Sequence, residues 1–372
     1  MATRIDPEKL EPAWQVLRRW IERRTVPAVS AVVGNSEQRL AFHGGWQRVD
    51  ESKPLVQDAI FLIASPTKPL TALAIMMLVE TGEVLPSDPV SRYLPDFAAN
   101  GKSDVTIAHC LTHTSGLPDM VPENQELRRR QAPLTEFLEA VYRLELDFAP
   151  GTRVQYQSMG SLVLAEIIHQ VFGMQLRDFL RVQIFQPLKM HDTSLGMSPF
   201  WESTFRGELH TRRSRIAEVN TTGLDQGDDW GWNSDYWLKL GVPWGGLLAS
   251  ADDWGKLCQH LLRVHVGEHG VVNPATLAAM TTNQLETMPE VPEADRRCQP
   301  WGYGWRLNSR NQADSFGDLL SPRAYGHWGA TGTMVWIDPA RDLFCVALTT
   351  QPYSGRRRPH AELSNIICSE IV

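Results

Sequence analysis

Ser65-Pro66-Thr67-Lys68-Pro69-Leu70-Thr71-Ala72-Leu73-Ala74-Ile75-Met76-Met77-Leu78 is the stretch that decides how this chain is read. A serine hydroxyl and a lysine amine stand three positions apart, ahead of a long apolar run. Positions three apart on a helix share one face, so the amine can sit beside the hydroxyl, as an activated nucleophile requires. Ser65 reads as an N-cap with Pro66 at the first helical position. Backbone N–H groups at such a helix start stabilise a developing anion. Pro69 removes the first intrahelical bond and is expected to open the helix start slightly. Alone the pattern is weak, because S-x-x-K arises on the order of once by chance in a chain this long. A capped, buried helix with a lysine on its rim has the same sequence.

Two further elements follow in order. Tyr156-Gln157-Ser158 lies inside Pro150-Gly151-Thr152-Arg153-Val154-Gln155-Tyr156-Gln157-Ser158, and His327-Trp328-Gly329 lies inside Gly326-His327-Trp328-Gly329-Ala330-Thr331-Gly332-Thr333. With these the chain resembles the serine β-lactamase-like family of penicillin-binding D,D-peptidases, class C β-lactamases, D-aminopeptidases and family VIII carboxylesterases. That family carries S-x-x-K, then Y-x-N or Y-x-S, then K-T-G or H-x-G. Leu111-Thr112-His113-Thr114-Ser115-Gly116-Leu117 is similar to its L-T-H-T-S-G-L turn. Ile184-Phe185-Gln186-Pro187-Leu188-Lys189-Met190 and Trp244-Gly245-Gly246-Leu247-Leu248-Ala249-Ser250-Ala251-Asp252-Asp253 are similar to its I-F-x-P-L-G-M and G-G-L-x-S-T-A-x-D segments. The ordered combination spans nearly the whole chain.

The local patterns agree with a split domain. Ala28 to Gly34 and Gln38 to His43 read as two strands around an Asn35-Ser36 turn. Strand signals return at Tyr303 to Leu307, Gly332 to Ile337 and Leu343 to Thr349, and a last helix runs from His360 to Ile371. Helical patterns fill the middle, with Leu162 to Phe172 and Leu176 to Phe185 the clearest. Strands at both ends with helices between predict an α+β fold: one antiparallel sheet built from residues 1–86 and 296–372 as an α/β sandwich, and a mostly helical domain over 87–295. The resemblance implies the same architecture, with the active site in the cleft between the two.

The resemblance also implies roles. Ser65 is the nucleophile, with the Lys68–Tyr156 pair as its base and Tyr156 favoured for deacylation. Lysine can take a proton only if burial or a nearby cation lowers its pKa, and two such groups in contact share protons. The backbone N–H groups of Ser65 and Ala330 are the expected oxyanion donors. Ser158, His327, Trp328 and Gly329 are the expected substrate-binding residues, with His327 placed to donate to the substrate or to tune Tyr156. No cofactor and no metal are implied. His109 and His113 have the spacing of a metal pair, but no third ligand suggests itself.

With 372 residues the chain can bury a large core. A net charge of −7 argues against nucleic-acid or anionic-membrane partners. Five scattered cysteines without C-x-x-C spacing suit free thiols in a reducing compartment. The N-terminal Leu10, Trp14, Leu17 and Ile21 recur at helical spacing and do not form a signal peptide. The expectation is a cytoplasmic enzyme. Arg128-Arg129-Arg130 and Arg356-Arg357-Arg358 read as solvated faces, the second with some prospect of touching a substrate carboxylate.

Substrate class rests on two departures from the family pattern. Trp328 stands where β-lactam and D-Ala-D-Ala processing relatives carry a small hydroxyl residue, and Ser158 stands where many have asparagine. Both favour a neutral, apolar acyl group, and Trp230, Trp232, Trp237 and Trp244 either line the cleft or pack the helical lobe. No G-x-S-x-G is present, so an α/β-hydrolase elbow is excluded. The expected activity is a carboxylesterase on short-chain or aryl esters. β-Lactamase or D-amino-acid amidase and peptidase activity is the alternative among enzymes, and a non-catalytic scaffold of the same fold is the alternative outside them. The expected partner is a small-molecule ester, and the oligomeric state is left open.

Overall fold

The computed structural model describes residues 5–205, 208–309, 316–352 and 359–371. Its strands are β1 (Ala28–Gly34), β2 (Arg39–Gly45), β3 (Ile60–Leu62), β4 (Thr193–Leu195), β5 (Glu202–Phe205), β6 (Glu208–Thr211), β7 (Leu247–Ser250), β8 (Arg306–Leu307), β9 (Tyr325–Gly329), β10 (Thr333–Asp338) and β11 (Leu343–Thr349). Six of them form an antiparallel sheet in the order β2-β1-β11-β10-β9-β8. The pairing of β1 with β11 sets Val29 opposite Thr349 and Gly34 opposite Phe344, so the sheet is sewn from the two ends of the chain.

Both faces of the central strands are covered, which is why they read as nearly continuous apolar runs rather than alternating ones. Val29, Ala31 and Val33 of β1 join Met334, Trp336, Cys345 and Ala347 in an outer cluster. This cluster lies under the amphipathic helix α1 (Glu11–Glu22) and the C-terminal Pro359–Ile371 helix. Val32, Val335, Ile337, Phe344 and Val346 belong to a larger core on the other face. That core continues through helix α2 (Thr67–Glu80) and the Met159–Phe172 helix into the helical lobe. α2 is apolar all round because it is enclosed all round.

Within the 87–295 segment strands accompany the helices: β4 and β7 pair with β3 in a second sheet, order β3-β7-β4, and β5 pairs with β6. Two details differ from the expected layout. The Ala251–His265 helix lies in that segment yet packs against β1 and β11, so the chain has already returned to the six-stranded sheet by Ala251. The expected Leu176 to Phe185 helix is α-helical only to Leu180 and continues as a π-helical turn over Arg181–Phe185. Among the described residues no single helix is long and apolar enough to cross a membrane. The Arg356-Arg357-Arg358 run lies outside the described residues.

Arg128 is a correction to the solvated-face reading of its run. It is buried, with its guanidinium 4.2 Å from the ring centre of Trp237 and 5.0 Å from that of Trp230. Guanidinium planes are weakly hydrated and stack on aromatic faces, so a half-apolar niche can hold one. Its neighbours Arg129 and Arg130 do pair with acids, the exposed Asp225 and the half-buried Glu136.

Candidate active site

The site is assembled around the start of α2. Helical geometry begins at Thr67, with Pro66 at the N-cap and no side-chain cap. Ser65 therefore does not cap the helix as its sequence suggested. Its hydroxyl is engaged by Lys68 and by Tyr156 instead. Ala64, the residue before it, has φ +57°, a left-handed conformation uncommon outside glycine. Thr67 holds that bend, its N–H and its Oγ1 both donating to the Ala64 carbonyl at 2.9 and 2.6 Å.

Lys68 is 4 % exposed. Its Nζ lies 3.2 Å from Ser65 Oγ and donates to the Trp244 carbonyl at 3.0 Å. It also sits 4.7 Å from the centre of the Tyr156 ring. Burial lowers its pKa to about 7, with the negative charge of Asp119 acting in the opposite direction. Tyr156 is shifted the other way: burial raises its phenol, the hydrogen bond with Ser65 partly offsets this, and Asp119 raises it further. At neutral pH the amine is thus near its midpoint while the phenol keeps its proton.

The second and third motifs reach this point by different routes. His113, in the Leu111 to Leu117 turn, has φ +60°. Its carbonyl accepts the N–H of Gln155 at 2.9 Å and its Nδ1 accepts the N–H of Gln157 at 3.2 Å. Tyr156 is pinned between these two bonds, with its ring 4.7 Å from that of His113. Burial holds the His113 imidazole neutral, well below its ordinary pKa, and Lys68 adds to the effect. Trp301 closes the back, 4.2 Å from His113 and 6.1 Å from Tyr156 between ring centres.

His327 is fully buried on β9, its ring 6.0 Å from Tyr156 and 5.8 Å from Trp301. Its Nδ1 lies 2.8 Å from the Trp328 carbonyl, so that nitrogen is the protonated donor. After β9 the chain turns through Ala330, which is exposed, with Gly332 N–H closing the turn on the Gly329 carbonyl at 3.0 Å. The turn is fastened to the segment that carries Ser65. Thr331 Oγ1 donates to the Leu62 carbonyl at 2.7 Å and Thr333 Oγ1 to the Ile63 carbonyl at 2.5 Å. A Cβ on Gly329 would lie 2.3 Å from the Ile63 carbonyl and 3.0 Å from Pro66 Cδ, so only glycine lets the two segments come this close.

The structure thus brings Ser65, Lys68, Tyr156 and His327 together and sets the Ala330 turn against the Ser65 segment. It does not place Trp328 or Ser158 where the sequence reading put them. Trp328 is opposite Met334 across the β9–β10 ladder and packs on Phe316, 5.8 Å between ring centres, in the outer cluster. Side chains alternate along a strand, so His327 and Trp328 occupy opposite faces and Trp328 is directed away from Ser65. Ser158 is 2 % exposed and gives its hydroxyl to Asp119 Oδ1 at 2.7 Å. Gly329 packs against the backbone of the Ser65 segment rather than lining open space. Trp237 and Trp244 join the main core, and Trp244 contributes its carbonyl to Lys68.

Four participants were not singled out as site residues from the sequence: His113, Asp119, Trp301 and the Trp244 carbonyl. His113 had a signal, since it lies in the L-T-H-T-S-G-L turn. Trp244 heads the segment similar to G-G-L-x-S-T-A-x-D, but its carbonyl, like Asp119 and Trp301, meets the site only through the fold.

Comparisons with known proteins agree with this geometry. The profile of the Beta-lactamase family matches residues 15–366. The "Putative D-alanyl-D-alanine carboxypeptidase" of Escherichia coli strain K12 is 25 % identical over 366 residues, covering 90 % of this chain and 82 % of that protein. A crystal structure of a family VIII carboxylesterase superposes with a TM-score of 0.77 at 19 % identity, covering 99 % of this chain and 98 % of the other. A penicillin-binding-protein homologue from Caulobacter crescentus gives 0.75 at 18 % identity, covering 98 % and 97 %. The chain belongs to the Beta-lactamase family and is a serine hydrolase of the β-lactamase and penicillin-binding-protein kind.

Proposed function

We propose that this protein is a carboxylesterase that turns over short-chain or aryl esters through an acyl-enzyme on Ser65. The observation that carries the reading is the 3.2 Å contact between Ser65 Oγ and a buried lysine whose pKa is about 7. In the neutral amine one N–H stays on the Trp244 carbonyl, and the lone pair is available for the Ser65 proton. Ser65 Oγ then attacks the ester carbonyl carbon as its proton passes to Lys68. The developing oxyanion faces the N–H groups of Ser65 and Ala330, where aligned donors act at low dielectric. Tyr156, protonated and in hydrogen-bond contact with Ser65, delivers a proton to the departing alkoxide and is re-protonated from Lys68. Water hydrolyses the acyl-serine by the reverse proton path, releasing the acid.

The preference for esters over β-lactams and D-Ala-D-Ala peptides rests on charge. Those substrates carry a carboxylate, and a buried anion without a partner loses several kcal/mol in the worst case. At the place of the K-T-G lysine this chain has His327, with Nδ1 committed to a backbone carbonyl. The charge whose field is felt by both Lys68 and Tyr156 is negative, that of Asp119. Neutral esters fit such a site. A cytoplasmic setting fits the five cysteines, none of which is in a disulfide.

The test is kcat/KM for p-nitrophenyl butyrate, nitrocefin and an acylated D-Ala-D-Ala peptide on the wild type and on Ser65→Ala. The ester is expected to be preferred by on the order of a hundredfold or more, with all turnover lost in folded Ser65→Ala. A wild type that prefers nitrocefin or the peptide would overturn the ester assignment.

A further inference from the structure

Asp119 follows the Leu111 to Leu117 turn and is exposed, whereas Ser65 and Tyr156 are half-buried and Lys68 is buried. It is tied twice to one residue. The Ser158 N–H donates to the Asp119 carbonyl at 3.2 Å, and Ser158 Oγ donates to Asp119 Oδ1 at 2.7 Å. Ser158 is two residues beyond Tyr156 and is itself the start of the buried Met159–Phe172 helix. The carboxylate is therefore held in a fixed relation to Tyr156. A serine hydroxyl bonded to a carboxylate keeps that carboxylate oriented at little cost, because a charge-assisted bond of this length is strong.

The other titratable and charged groups around the cluster are Lys68, Tyr156, His113, His327 and Arg306. His113 is neutral by burial, and Arg306 is buried, its Nη2 donating to the Cys298 carbonyl at 2.9 Å beneath Trp301. Asp119 is thus the exposed charge of the group.

We propose that Asp119 determines substrate charge: its exposed carboxylate, fixed by Ser158 two residues beyond Tyr156, favours acyl groups that carry an ammonium and disfavours those that carry an anion. This rests on the reading of Ser65 as the acylated serine. It adds a preferred class, esters of amine-bearing acids, to the neutral esters above.

The experiment measures how fast Ser65 displaces fluoride from three fluorophosphonates of matched shape, with trimethylammonium, tert-butyl and sulfonate tails. Rates are taken for the wild type, Asp119→Asn and Asp119→Glu, at low and high salt and on the alkaline plateau. In the wild type the cationic probe is expected to react fastest and the anionic probe slowest. Each is expected to differ from the neutral probe by roughly fivefold to tenfold at low salt, and the gap should narrow as salt rises. Asp119→Asn should bring the three rates within about twofold of one another, and Asp119→Glu should restore the order. A wild type that ignores tail charge, or Asp119→Asn with the wild-type order, would overturn the inference. Because the readout is phosphonylation, it is separate from ester turnover. A charge order without hydrolysis of p-nitrophenyl esters would count against the esterase reading alone and would leave the role of Asp119 supported.

Discussion

Lys68 sets the pH dependence expected of this enzyme. Burial places its pKa near 7, and the proposed mechanism uses the neutral amine. Activity should therefore rise with pH as the proton leaves, with log kcat/KM climbing at a slope near one below the midpoint and levelling above it. Tyr156 adds no descending limb near neutrality, since its phenol is shifted upward. Lys68→Ala and Tyr156→Phe are each expected to lose on the order of a hundredfold or more, and the double variant little beyond either, because residues acting as a unit are not additive. A pH-rate profile that is flat from pH 5 to 9, or multiplicative losses, would show that the lysine is not the titrating base of a coupled pair. Trp328 gives the opposite kind of prediction. Since its ring packs on Phe316 under the outer cluster, Trp328→Ser should cost about 1–3 kcal/mol of stability by denaturant unfolding and leave the ester-to-nitrocefin ratio where it was. A large change in that ratio would place Trp328 in the cleft after all. The contact between Ser65 and Lys68 was legible in the sequence because one helical turn creates it. Asp119 and Trp301 were not, because Asp119 is 39 residues from the serine that holds it and Trp301 meets His113 only in the folded chain.

Elements place the turn that carries the proposed oxyanion donor Ala330. The β9–β10 turn is held on the segment before α2 by Thr331 and Thr333, whose hydroxyls satisfy the carbonyls of Leu62 and Ile63. Thr333→Val keeps the shape and removes the donor. It should cost about 1–3 kcal/mol, the price of a buried carbonyl left unpaired, and should lower kcat on p-nitrophenyl butyrate more than it changes KM. A variant with wild-type kcat would mean that the turn does not position the oxyanion donors. β1, β10 and β11 were readable as strands because both of their faces are buried and their residues are mostly β-branched or apolar, Ser30 and Asp338 being the polar exceptions. The short sheet β3-β7-β4 was not, since strands of three and four residues carry too little pattern, and their pairing joins segments far apart in the chain. The alternation along β9 decided the Trp328 question, and it becomes visible only once Met334 and Val335 are set beside Trp328 and His327.

At the scale of the whole molecule, the proposed catalytic cluster is drawn from three regions that only the fold unites: the α2 start, the Gln155 to Ser158 segment below the His113 turn, and β9. One continuous apolar core runs from the sheet face into the helical lobe, so the two lobes are packed as one body around the cluster. The split-domain plan was legible because strand signals sit at both ends of the chain. The return of the Ala251–His265 helix to the sheet was not, because an amphipathic helix carries no mark of which surface it will cover. This assembly is proposed to activate Ser65 and no other nucleophile. The most direct test is to label the folded protein with a neutral fluorophosphonate and map the adduct by peptide mass spectrometry. One adduct per chain is expected, on Ser65, formed faster as pH rises through about 7 and absent from folded Ser65→Ala. Modification of a different residue, or of folded Ser65→Ala at the wild-type rate, would contradict it.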